Sequence, residues 1–431
     1  MKIRRSGALL VAAGVLTLAA CGSANSPAAT STGDQTGQAG SGDVVELTVW
    51  TGFTGGDRSA YEGLIKTFND SHPGIHVTMD VQPWDSIAQT LPAAWGTGQA
   101  PDLATPNFDP NVVAEYVKNG SALALDDYVG TGDGKIDSAN LAPAAIKVFT
   151  VDKALYAVPA NVATLQLYYN KTLFKAAGIA EPPATADDFR ADAVALTDAA
   201  AGVYGLALAD HETIQMWPVL QWMDGGDIVG EDSCSLIDSS SSVATLKQWA
   251  DLVVNKKISP AGLTGAEADS LFAAGKAAME INGPWAAASY TEAGVDFGVA
   301  SIPVGSAGPV TLGSTVPLMI GKGADHPAEA ATFLSWWTGK DAQRQFALAS
   351  GFPPVRTDMA DDPELAANAV VQSFAAALPD ARLYLPGVPS ATKVDSDVYV
   401  PLIGEITRGA DVASKAADAA KAINALTGCK G

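Results

Sequence analysis

The sequence predicts an α/β protein of two domains, and three observations carry that reading. Between residues 44 and 104, short β-branched runs alternate with stretches of helical spacing, the pattern of a parallel sheet with right-handed crossovers. The alternation resumes after residue 160. The chain is 48% apolar, enough for sizeable cores, and a body spanning 44–431 is long for a single domain.

The elements follow in order. Residues 44–50 are an apolar, β-branched strand, and 51–56 a Gly-rich loop. From Asp57 onward, Tyr61, Leu64, Ile65 and Phe68 fall at helical spacing, and the segment from Asn69 to Gly74 breaks that helix. Residues 75–79 form the second strand, 84–95 a helix and 102–104 a short strand. Later strands are expected at 163–169, 277–281, 297–303 and 317–320, with helices at 185–197, 328–337 and the Ala-rich 411–426. In open α/β sheets, ligands bind beyond the carboxyl ends of strands. Trp50, Phe53, Asn107, Phe108, Asp109, Trp285 and Ser314 all lie at such ends.

The N-terminus specifies a location. Lys2, Arg4 and Arg5 precede an uncharged apolar run too short to span a bilayer comfortably, so residues 1–20 read as a signal peptide. The run ends in Leu18-Ala19-Ala20-Cys21-Gly22, which resembles a bacterial lipobox with Cys21 as the lipidated first mature residue. Two or more acyl chains there would hold the protein stably at a membrane surface. The remainder of 21–43 is mostly Ser, Thr, Gly, Ala, Asn and Gln, with almost no bulky apolar residue; it is too polar to offset its ordering entropy and reads as a flexible tether.

A net charge of −21 argues against nucleic acid as a partner. With Cys21 lipidated, Cys234 and Cys429 remain, and two cysteines in an oxidising compartment invite a disulfide. Pairing would require the C-terminal tail to pack near residue 234; otherwise they are separate thiols. The four histidines are scattered singly, so no metal site and no cofactor are expected.

Several segments, in order, resemble the extracellular solute-binding proteins of ABC transporters, in the sugar-binding family that includes maltose-binding protein. They are 47–52 running on to Phe68, then 74–78, the Gly-x-x-Pro-Asp element at 98–103, the segment from Pro159 to Tyr168-Tyr169-Asn170-Lys171, and Met279-Glu280-Ile281-Asn282-Gly283-Pro284-Trp285-Ala286. The resemblance covers nearly the whole body. It implies the two-lobed periplasmic-binding-protein fold of type II, each lobe a sheet flanked by helices, joined by a hinge. Lobe one would hold 44–158 and 309–357, and lobe two 159–308 and 358–431. Both Cys234 and Cys429 would then lie in lobe two, which supports the bridge.

A sugar offers an apolar C–H face and a rim of hydroxyls, so its site needs flat rings to stack on and carboxylates, amides and Arg around them. By that resemblance, Asp57, Arg58 and Asp109 match charged sugar contacts and Trp285 a stacking ring. Asp57 could equally be a helix N-cap. Phe53, Trp84, Asn107, Asn161, Trp217, Trp222, Ser314, Phe352 and Arg356 complete the candidate set. The sequence departs from the maltose-binding pattern at Asn161-Val162-Ala163, near Ile214 and around 388–394, so the ligand need not be maltose.

The resemblance thus implies a monomeric, lipid-anchored capture protein on the extracellular face of the membrane. It would bind a carbohydrate between its lobes and deliver it to permease subunits driven by a cytoplasmic ATPase. The same fold could take a polyamine, a glycerol phosphate or a chelate. A secreted carbohydrate-active enzyme would need two carboxylates facing across a sugar bond. No nucleophile elbow, zinc-hydrolase helix or P-loop is present.

Overall fold

A computed structural model describes residues 44–97 and 101–429. The leader, Cys21 and the tether lie outside them, as do residues 98–100 of the Gly-x-x-Pro-Asp element. Strand β1 (Val45–Thr51) turns Leu47, Val49 and Thr51 inward and Glu46 out. Helix Arg58–Ser71 buries Tyr61, Leu64, Ile65 and Phe68 along one stripe. β2 (Ile75–Val81) and β3 (Leu103–Ala104) pair with β1 on either side, both parallel to it. A tight hairpin, β4 (Thr150–Val151) and β5 (Ala154–Leu155), leads into β6 (Ala157–Thr164), which is buried at every position.

After Leu165 the chain enters a second sheet. β7 (Gln166–Asn170), β8 (Tyr204–Ala207), β9 (Ala277–Asn282) and β10 (Phe297–Ala300) are ordered β10-β7-β9-β8, with only β8 and β9 parallel. β11 (Thr311–Ile320) returns to the first sheet, antiparallel to β6 and to β3, and β12 (Ala381–Leu383) adds to its start. The two crossings run side by side. The Leu165 amide donates to the Leu312 carbonyl at 3.1 Å, and Thr311 Oγ1 donates to the Leu165 carbonyl at 2.6 Å. Helices Pro363–Ala367 and Ala369–Ala376 carry a third crossing.

Each sheet has its own core. One is built from residues between Leu47 and Ala163 and between Val316 and Val355. The other draws on Leu165 to Leu312 and Phe374 to Ile423. Cys234 and Cys429 form a disulfide that ties the C-terminal helix Val412–Thr427 to the loop around residue 234, beside a 2.8 Å bond from the Ser235 amide to Asn424 Oδ1.

The expected strand at 163–169 is in fact the junction of two strands in different sheets, broken at Leu165. The expectation at 317–320 captured only the end of β11. Both errors have one cause. β6 and β11 are covered on both faces, so they lack the period-two alternation of a half-exposed strand. They also carry Pro159 and Pro317, paired where the register shifts. No helix of the described residues is long and apolar enough to cross a membrane.

Candidate functional site: an inter-lobe cleft

The loop after β1 is shaped by close approach. The Trp84 ring lies against Gly52, where a Cβ would come within 2.0 Å of it. Phe53, only 6% exposed, stacks on Tyr61 with centroids 3.7 Å apart. Half-buried Trp84 meets Phe53 edge-on at 5.5 Å and exposed Phe108 edge-on at 6.0 Å. The aromatic groups therefore run in a row from the core to the surface.

Asp57 follows this loop and is also 6% exposed. It does not cap the helix it precedes: its backbone is already helical and its side chain makes no capping bond. Burial pushes its carboxyl up to about 6, opposed only by a bond from its own backbone amide. Arg58 points away, paired with Glu62 at 2.7 Å on the exposed side of the helix. After β3, Asn107 Oδ1 accepts from the Asp109 amide at 2.8 Å, and Asp109 Oδ1 accepts from the Asn111 amide at 2.8 Å. Two successive Asx turns fix that loop.

The second lobe contributes the turn after β9. Half-buried Trp285 lies over Gly283, where a Cβ would fall 2.2 Å from the ring. Trp285 packs against the cores of both lobes, with Phe352 of lobe one 6.3 Å away. At the other end, Thr392 Oγ1 donates to Asp109 Oδ2 at 3.1 Å, Asn111 Nδ2 to the Leu385 carbonyl at 3.1 Å, and the Gly387 amide to Asn111 Oδ1 at 2.7 Å. Tyr384 donates to Asp395 Oδ1 at 2.7 Å. Burial raises the Asp395 carboxyl; the Tyr384 bond opposes this and the negative charge of Asp109 adds to it.

The structure brings Phe53, Asp57, Trp84, Asn107, Asp109 and Trp285 to these facing walls, with Phe352 buried behind Trp285 and half-buried Ser314 opposite Ala163 on the paired crossing strands. Other candidates are occupied elsewhere. Trp217 is fully buried in the second core, its indole N–H bonded to the Ala209 carbonyl at 2.8 Å, so no face is left for a ligand. Trp222 is 4% exposed, bonded to Asp227 at 2.9 Å, with the Arg382 guanidinium over its ring at 4.4 Å. Asn161 is buried and gives its amide to the Tyr61 hydroxyl at 2.6 Å. Arg356 is consumed by Asp137, Asp358 and the Thr338 carbonyl. Tyr384, Thr392 and Asp395 escape the sequence pattern because the segment that carries them has only a three-residue strand and no aromatic ring at 388–394. A broad hollow lined by Arg190, Asp224, Thr245, Lys247 and Ser306 belongs to lobe two alone and shares no residue with the cleft.

The maltotriose-binding protein of Pyrococcus abyssi is 24% identical, the match covering 81% of this chain and 74% of its own. The GacH receptor of Streptomyces glaucescens, solved unliganded and with acarbose, superposes with a TM-score of 0.78 at 24% identity over 90% of this chain and 100% of its own. UgpB of Mycobacterium tuberculosis, solved with glycerophosphocholine, does so with a TM-score of 0.79 at 23% identity over 90% and 98%. These structures share the two-lobed α/β fold. The family model for bacterial extracellular solute-binding proteins matches residues 63–372. Two sheets with separate cores, joined by paired crossing strands and facing each other across Trp285, are the architecture of a family that binds solutes rather than transforming them, and this chain belongs to the bacterial extracellular solute-binding proteins.

Proposed function

We propose that this protein captures a sugar or oligosaccharide between its lobes and delivers it to the permease of an ABC importer. The observation that carries the reading is Trp285, a half-buried ring packed against both cores at the end of β9. A flat ring at that junction suits the C–H face of a sugar. Asp57 and Asp109 supply acceptors for hydroxyls, and such charged bonds are stronger than neutral ones. Binding of maltotriose by the Pyrococcus relative supports the same class of ligand.

The phosphodiester bound by the Mycobacterium structure suggests a second class. It is the weaker reading here. Carboxylates and rings dominate the cleft walls, and the nearby arginines already have acidic partners: Arg58 has Glu62, Arg356 has Asp137 and Asp358, and Arg382 has Asp227. A phosphate would have to compete with those carboxylates for an arginine or be held by backbone amides. The lobes, 44–158 with 309–357 and 159–308 with 358–431, would close about the paired crossing strands as a hinge. Lipidation at Cys21 would keep a monomer beside its permease and raise the effective concentration of captured solute there.

A thermal-shift screen of the mature chain tests the ligand class, since binding to the native state raises stability by mass action. Maltotriose or another saccharide should raise the melting temperature. A shift with glycerophosphocholine or a polyamine and none with any saccharide would overturn the sugar reading. Trp285→Ala should weaken binding by roughly 1–3 kcal/mol while the protein stays folded.

A further inference from the structure

Beneath Trp285 lies a polar network that the binding reading does not use. Asn282 ends β9, and its Nδ2 donates to Asp269 Oδ1 at 2.7 Å, to the Tyr290 hydroxyl at 3.0 Å and to Glu280 Oε1 at 3.3 Å. Tyr290 donates to Glu280 Oε2. Two carboxyl groups therefore converge on one amide nitrogen. Glu280 is 1% exposed, and it shares the Asn282 amide with Asp269.

Asn282 also reaches the turn. Its Oδ1 accepts from the Gly283 amide at 2.8 Å, while Tyr168 donates to the Gly283 carbonyl at 2.9 Å. Side chains thus hold both polar groups of Gly283, the residue on which the Trp285 ring rests. The titratable groups facing Glu280 are Asp269 from helix Gly265–Ala273, Tyr290 from helix Ala287–Glu292 and Tyr168 from β7. Among the described residues no Lys, Arg or His bonds to either carboxylate. Two buried carboxylates without a cation cannot both ionise cheaply. Burial, then the charge of Asp269, drives the Glu280 carboxyl well up, in line with that geometry.

We propose that Glu280 and Asp269 hold one proton between them beneath the Gly283–Trp285 turn, and that this proton positions the Trp285 ring for ligand. The inference rests on Trp285 being the binding platform. Loss of the proton to solvent at alkaline pH leaves two carboxylates facing each other. Their repulsion spreads the contacts that Asn282 bridges, shifts Gly283 and displaces the ring. Glu280 is a positioning residue in this scheme, and ligand affinity falls as pH rises above neutrality.

The test follows the indole N–H resonance of Trp285, assigned with Trp285→Phe, in the ligand-free mature chain from about pH 7.5 to about pH 9.5. Maltotriose affinity is measured in parallel by calorimetry. In the wild type the resonance should move with pH and affinity should fall by at least about fivefold, the lower end of site-to-site couplings. Glu280→Gln, which fixes a donor where the proton sat, should flatten both profiles. Asp269→Asn should do the same, and serves if Glu280→Gln does not fold. A resonance that titrates equally in wild type and variants, or in none, overturns the inference. A resonance that titrates only with the pair intact, in a protein that binds no saccharide, upholds the positioning and overturns the sugar reading instead.

Discussion

At the scale of the residue, Asp57 is the most informative group in the cleft. It is buried, and burial pushes its carboxyl up from 3.8 to about 6. A carboxylate held ready in this way favours ligand hydroxyls over water, and ligand binding should favour its ionised form. Affinity should therefore rise between about pH 5 and about pH 7, and Asp57→Asn should lower affinity at neutral pH and remove that rise. Stability runs the other way. The folded carboxyl titrates above the unfolded one, so its contribution is fully present at acidic pH and is lost as pH climbs through about 6. Asp57→Asn should recover roughly 2–3 kcal/mol at neutral pH, read from denaturant unfolding of the ligand-free protein at several pH values. Unchanged stability together with unchanged affinity would mean that Asp57 is only a loop residue. The side chain was legible in the sequence as a candidate; that it leaves the helix uncapped depends on backbone angles no sequence pattern displays. Trp217 teaches the converse: nothing in its sequence neighbourhood of Met216, Pro218 and Val219 shows that its indole N–H is bonded to the Ala209 carbonyl inside the core.

At the scale of the element, what could be read was what kept a period. Helix Arg58–Ser71 and strands β1 and β2 stood out because one face is buried and the other wet. β6 and β11 hid because both faces are buried, and these are the strands that join the lobes. The cleft walls were legible as places, the segments following β1, β3 and β9, since strand ends position ligands in this class of fold. The 384–395 wall was not, because it follows helices and a three-residue strand. The loop at Gly56 offers a direct test of closure. A Cβ there would come within 2.3 Å of Ser289 Oγ and 3.1 Å of the Trp285 carbonyl, both on the opposing lobe. Gly56→Ala should hold the lobes slightly apart and weaken ligand binding by about tenfold or more, with little change in the unfolding of the ligand-free protein. Small-angle scattering with saturating saccharide would then report a larger radius than for the wild type. Wild-type affinity and radius in this variant would mean that the loop yields without resisting closure.

At the scale of the whole molecule, the question is how a chain that passes between lobes repeatedly keeps its C-terminal part in place. The last segments, from Phe374 to Ile423, pack into the second core although they follow a long excursion through the first. The disulfide closes that excursion. It joins residues separated by 195 positions, so in the unfolded chain it restrains β9 through β12 together with the return into lobe one. A cross-link of that span acts mainly on the unfolded state, and removing a native bridge costs on the order of 2–5 kcal/mol. The bridge is internal to one core and does not cross the cleft, so it has no part in holding the lobes closed. The double variant Cys234→Ser, Cys429→Ser should therefore unfold at a lower temperature by calorimetry, with the loss confined to the transition of the second core, while saccharide affinity stays within about twofold of the wild type. A fall in affinity as large as the fall in stability would show instead that the Trp285 wall depends on the C-terminal helix being fastened, and that the bridge serves binding as well as folding.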